Sequence, residues 1–104
     1  MDRESLLSKV KEAIKEMEPQ SEIILYGSRA RNDSKREADW DFLILLDGPV
    51  NDQCVDKIRH HLYEIEWESG EVLCSIVRNR QEWNSTPYKE TPFHRNVEDE
   101  GVIL

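Results

Sequence analysis

Two aspartates, Asp39 and Asp41, sit one residue apart in "ADWDFLILLDG", at the mouth of an apolar run. In an extended strand, side chains at i and i+2 leave the same face. The two carboxylates would then project side by side, about 7 Å apart at Cβ. Adjacent anions repel, which costs stability or raises a pKa. A hard divalent cation removes that cost. Mg²⁺ (or Mn²⁺) takes oxygen ligands and is typically held by one or two carboxylates together with substrate phosphates.

Upstream, Gly27-Ser28 ends a shorter apolar run, "EIILY". Glycine allows a sharp turn and close approach of backbone to ligand. Backbone N–H groups at the start of a following helical turn would point at an anion, and the Ser28 hydroxyl adds a donor. Arg29, Arg31, Lys35 and Arg36 make this the one locally basic stretch of an acidic chain. Taken singly, a Gly-Ser is a turn and an aspartate pair is a solvated strand end. Together they describe a triphosphate held at Gly27 and Ser28, with Arg29 beside them, and bridged through metal to Asp39 and Asp41. The chemistry would be in-line phosphoryl transfer.

The elements that must position these groups are legible from periodicity. Leu6, Leu7, Val10, Ala13, Ile14 and Met17 recur at helical spacing, with Asp2 or Ser5 near the start and Pro19 past the end. Residues 22–26 read as a strand, 28–33 as one or two helical turns, and 39–47 as a longer strand closed by Asp47-Gly48-Pro49. Val50, Cys54, Ile58, Leu62 and Ile65 predict a helix from about 52 to 67, ended by Ser69-Gly70. "EVLCSIV", 71–77, is the third strand. Asn79 with Glu82 fits a capping box. Thr91-Pro92 opens a last helix that stops at Gly101. The polar "NSTPYKETP" reads as a linker. The expected fold is one α/β domain over 1–104: a three-stranded mixed sheet in α-β-α-β-α-β order. Its core spans about 3–78, and a tail with one or two short helices covers 79–104.

Composition narrows the function classes. The formal net charge of −8 over 104 residues argues against nonspecific nucleic-acid binding, which needs a basic surface. No apolar stretch is long enough to span a membrane, and "MDRESLLSKV" lacks the apolar region of a signal peptide. Cys54 and Cys74 make no disulfide framework or metal spacing. They are expected as reduced, partly buried thiols of a cytoplasmic protein.

At this point the residues carry a resemblance. "GSRARNDSKREADWD" resembles the signature of the nucleotidyltransferase superfamily that includes DNA polymerase β: Gly-Ser, ten residues, then Asp-x-Asp. The short length is similar to the minimal (MNT-type) branch. The resemblance implies that Gly27 and Ser28 bind nucleotide phosphates and that Asp39 and Asp41 bind Mg²⁺. It implies transfer of AMP from ATP to a hydroxyl acceptor. It further implies a helical partner of the HEPN type, whose tyrosine an antitoxin-like enzyme would adenylylate in a homo- or hetero-oligomeric assembly. The superfamily usually places a third carboxylate in the next core strand, where this chain has Cys74 and Ser75. Glu71 is the nearby acid and the tentative third. Otherwise a partner or the acceptor supplies the group, or the protein is a weak or inactive nucleotide-binding module that regulates a helical partner by contact.

Other residues invite weaker readings. His60 and His61 face different directions on a helix, one on the surface and one half-buried, with no third metal ligand. His94 suits a local capping role as well as a functional one. Trp40 should point away from the aspartates and pack under a helix. Trp67 and Trp83 are expected at the core or its rim, and Tyr26 in packing. The apolar end, Val102, Ile103 and Leu104, either docks on its own domain or marks a partner surface.

Overall fold

The computed structural model describes residues 1–31 and 38–104. Asp2 caps the first helix, α1 (Arg3–Met17), by accepting the Ser5 N–H at 2.8 Å, and Leu6, Val10 and Ile14 are its buried stripe. Strand β1 (Glu22–Tyr26) leads through Gly27 into the short helix α2 (Ser28–Arg31). Asn32 and Asp33, expected to extend that helix, lie outside the described residues, as do Lys35 and Arg36 of the basic stretch. Strand β2 (Trp40–Leu46) follows, then α3 (Asp52–Ser69), whose cap Asn51 accepts the Cys54 N–H at 2.9 Å.

Strand β3 covers Leu73–Asn79, two residues later than the apolar run suggests. The Glu66 carboxylate accepts the Leu73 N–H at 2.9 Å, and the Val72 carbonyl accepts the Trp40 N–H at 2.9 Å, so pairing begins there and Glu71 lies ahead of the strand. Asn79 caps α4 (Arg80–Trp83) by accepting the Glu82 N–H at 3.0 Å. The stretch read as a linker contains a further turn of helix, α5 (Thr86–Lys89). Helix α6 (Pro92–Glu100) ends where expected, before Gly101.

The sheet has four strands, not three, in the order β3-β2-β1-β4. The fourth is β4 (Val102–Ile103), which pairs antiparallel with β1, and the Leu104 N–H reaches the Ile23 carbonyl at 2.9 Å. Two apolar residues are too little pattern to read as a strand, and only the free edge of β1 makes them one. The terminal triplet thus docks on its own domain through its backbone, while the Val102 and Ile103 side chains stay exposed. β1 is antiparallel to β2, and β2 is parallel to β3, as a helical crossover requires.

Strand β2 is central and covered on both sides, which is why its apolar run is continuous. Alternate residues feed two cores. Trp40, Phe42, Ile44 and Leu46 pack with α1 and α3, whereas Leu43 and Leu45 meet Trp83 of α4 and Val97 of α6. Among the described residues no helix is long and apolar enough to cross a membrane.

Gly101 makes β4 feasible. A Cβ there would stand 2.4 Å from the Val97 carbonyl oxygen and 2.7 Å from Ile24 Cγ2. Gly101→Ala should therefore destabilise the fold by about 1–3 kcal/mol, the usual cost of overpacking. Urea unfolding measures the loss, and hydrogen exchange should show it first at the Leu104 amide. Unchanged protection there would contradict this account of the edge.

Candidate active site

Strand register assembles the site. Tyr26 on β1 pairs with Asp41 on β2, and Asp41 pairs with Cys74 on β3. Paired residues point to the same face, so a phenol, a carboxylate and a thiol form one row across three strands. Asp39, two residues before Asp41, joins them: the Cys74 thiol donates to Asp39 Oδ2 at 3.8 Å. Trp40 takes the opposite face, as expected, and is buried with α1 and α3.

Gly27 abuts this row. Its φ is +77°, a conformation that costs other residues strain. A Cβ on Gly27 would sit 2.8 Å from Asp41 Oδ2. The Asp41 carboxylate thus lies directly against the Gly-Ser turn. The turn itself is set by the Gly27 carbonyl, which accepts the Ala30 N–H at 3.0 Å and the Arg31 N–H at 3.2 Å.

The electrostatics follow from this crowding. Burial, and then the charge of Asp39, hold the Asp41 carboxyl above its ordinary value. Burial, Asp41 and Cys74 push the Tyr26 phenol up to about 12. Burial, then the fields of Asp39 and Asp41, raise the Cys74 thiol. Behind the burial, each shift also carries negative charge gathered at one spot, which a divalent cation would offset. Two carboxylates offer hard oxygen donors suited to such an ion. Among the described residues no group of three or more His, Cys, Asp or Glu side chains is arranged to hold a metal. A cation here would complete its shell with phosphate oxygens and water.

Arg29 and Glu71 are found on the other side of β2. Arg29 donates from Nε and Nη2 to the Ala38 carbonyl at 3.0 and 2.9 Å, and its guanidinium stands 4.4 Å from the Trp40 ring centre. The Glu71 carboxylate accepts from Trp40 Nε1 at 3.1 Å and meets Arg29 Nη2 at 3.5 Å. Arg3 of α1 donates to the Arg29 carbonyl at 2.6 Å. These contacts fix the peptide immediately before Asp39 and tie it to α2. Glu71 is thereby committed to Trp40 and Arg29, and the residue that faces the aspartates from β3 is Cys74.

Several other expectations change. Cys74 is exposed rather than partly buried, while Cys54 is half-buried. Trp67, expected at the core or rim, is 76% exposed, whereas Trp83 is buried. His60 is exposed and His61 half-buried, as expected. The cap of α6 is the Thr91 hydroxyl, which accepts the His94 N–H; the His94 ring is buried and stacked on Trp83 at 4.4 Å. Tyr26 belongs to the site, which its sequence position beside Gly27 hinted at. Glu66 of α3, which accepts the Leu73 N–H, carries no signal in the sequence that sets it apart from the other glutamates of that helix.

Residues 7–104 match the family described as a nucleotidyltransferase domain. A protein of Methanocaldococcus jannaschii named protein adenylyltransferase is 35% identical over 82 residues, which is 79% of this chain and 75% of that protein.

The raised Asp41 carboxyl has a consequence for stability. Its proton is held more tightly in the folded than in the unfolded chain, so stability falls as pH rises from the ordinary carboxylate value through the folded one. Asp41→Asn removes that loss. In metal-free buffer at neutral pH the variant should melt above the wild type, and the gap should close below the carboxylate range. Thermal melts across pH check this; a variant that melts lower at neutral pH contradicts it.

Proposed function

Because the chain belongs to the nucleotidyltransferase domain family, and is an enzyme of the nucleotidyltransferase type, we propose that it transfers AMP from ATP, with Mg²⁺, to a hydroxyl group on a protein. The observation that carries this reading is the contact between the two halves of the site. The Gly27 turn lies against Asp41, with the Cβ position 2.8 Å from Oδ2, and Asp39 shares the face. A phosphate chain held at Gly27-Ser28 then lies next to both carboxylates.

The residues divide the work as follows. Gly27 lets backbone approach the phosphates, and the Ser28 hydroxyl donates to them. Asp39 and Asp41 would hold the cation, which would neutralise charge developing on the transferring phosphoryl group. The brace of Arg29, Trp40 and Glu71 keeps Asp39 in register with the turn. The acceptor oxygen bonds to the α-phosphorus as the bond to the pyrophosphate oxygen breaks. The electron pair leaves with pyrophosphate, and the hydroxyl proton goes to water.

The name of the Methanocaldococcus jannaschii relative supports a protein acceptor. The superfamily resemblance points to a tyrosine on a helical HEPN-type partner, which would make this chain the antitoxin of a pair. The Cys74 position leaves the acceptor side without a carboxylate from β3, which favours an acceptor whose own protein completes the site.

The test uses ATP labelled at the α-phosphate, Mg²⁺ and a co-purified HEPN-type partner. Label should appear on the partner, and Asp39→Ala or Asp41→Ala should reduce it at least about a hundredfold, the scale of lost transition-state electrostatics. Tight partner binding without any label would identify a regulatory module instead.

A further inference from the structure

The Gly27-Ser28 turn is held at both flanks by one helix far away in sequence. On the upstream flank, the Tyr26 ring packs edge-on against Phe93 of α6, with ring centres 5.3 Å apart. On the downstream flank, Arg31 Nη1 donates to Glu100 Oε2 of α6 at 2.8 Å. The Arg31 N–H also reaches the Gly27 carbonyl at 3.2 Å, so the ion pair and the turn share one residue. Phe93 and Glu100 stand near opposite ends of α6, about 10 Å apart along its axis.

α6 is itself fixed at both ends. Phe93 meets Trp83 edge-on at 5.5 Å, and the Thr91 hydroxyl caps the first turn. After Glu100, Gly101 fits against the Val97 carbonyl and Ile24, and β4 pairs with β1. A helix secured in this way passes its placement on to whatever it touches.

Glu100 does not serve the helix that carries it. Glu98, Asp99 and Glu100 close α6, and no basic residue stands in its last turn. The C-terminal end of a helix carries partial negative charge, so carboxylates there are unfavourable. The pair with Arg31 is partly exposed on both sides, and such pairs add little to global stability. Departures from local rules of this kind are expected where function requires them. What the pair does fix is where Arg31 stands, and with it the Gly27 carbonyl.

We propose that α6 is the positioning element of the nucleotide site. Phe93 and Glu100 hold the two flanks of the Gly27-Ser28 turn against Asp41, and Glu100 acts through Arg31 rather than by touching the nucleotide. This rests on the reading that Gly27 and Ser28 take the phosphates, and adds what sets their position. It gives Glu100 an effect opposite in sign to that of its charge. A carboxylate near a triphosphate repels it, so loss of the charge alone tightens binding. Loss of a positioning carboxylate loosens it.

The test titrates the isotope-labelled chain with Mg²⁺ and α,β-methylene-ATP, which cannot donate its adenylyl group, and reads the Gly27 and Ser28 amides. Glu100→Ala should shift both amides in the free chain and weaken binding about threefold, the scale of a partly exposed ion pair. Asp99→Ala, at an exposed position in the same turn, removes equal charge; it should leave the amides in place and binding equal or tighter. With Arg31→Ala already present, Glu100→Ala should add nothing. Phe93→Leu should also weaken binding, and a thermal melt shows whether that variant stays folded; if it unfolds, Glu100→Ala decides the case. Equal effects of Glu100→Ala and Asp99→Ala, or tighter binding by Glu100→Ala, overturn the proposal while nucleotide binding at Gly27 and Ser28 still stands. A full Glu100→Ala effect in the Arg31→Ala chain overturns it as well. Should the nucleotide leave Gly27 and Ser28 unperturbed in the wild type, the adenylyl-transfer reading falls, and this one with it.

Discussion

Repulsion between Asp39 and Asp41, at the partly buried mouth of β2, is the constraint around which this structure is arranged. Two anions side by side are unfavourable, and burial makes them more so. The fold nonetheless brings a thiol, a phenol and a tight turn up to the same spot. Burial first, and the neighbouring negative charge second, raise the Asp41 carboxyl and the Cys74 thiol and push the Tyr26 phenol up to about 12. The crowding gathers negative potential at this one spot of the free protein. The strain of assembling it is carried by the rest of the domain.

What carries it is visible on the opposite face of β2. Trp40 lies between the two aspartates in sequence and on the other side in space. There it anchors Arg29, Glu71 and Arg3 into one cluster. Arg29 grips the carbonyl of Ala38 with two nitrogens, so the chain entering Asp39 cannot drift. Because Arg29 also follows Gly27-Ser28 directly, the same contacts set the distance between the Gly-Ser turn and the carboxylates. The residues nearest the aspartates in sequence thus serve them from behind.

The second face of the sheet is finished by the end of the chain. Trp83, Val97 and the aromatic neighbours Phe93 and Tyr88 cover Leu43 and Leu45, and β4 closes the edge of β1. This leaves β3 as the longer free edge, beside the aspartates. The asymmetry gives the site a closed side and an open one.

The sequence alone was enough for the local pieces: the stripe of α1, the caps at Asn79 and Thr91, the short and long strands, and the Gly-Ser to Asp-x-Asp spacing. These depend on contacts within a few residues, where periodicity and capping chemistry are direct signals. It was enough, too, for the nucleotidyltransferase family, because the spacing of Gly27-Ser28 from Asp39-x-Asp41 is read along one chain. The tertiary structure alone decided the fourth strand, the commitment of Glu71 to Arg29 and Trp40, the exposure of Trp67, and the place of Cys74 and Tyr26 beside the aspartates. Each of these is set by strand register or by packing between segments far apart in sequence. A one-residue slip of β3 would have turned Cys74 away and brought a neighbour to the aspartates in its place.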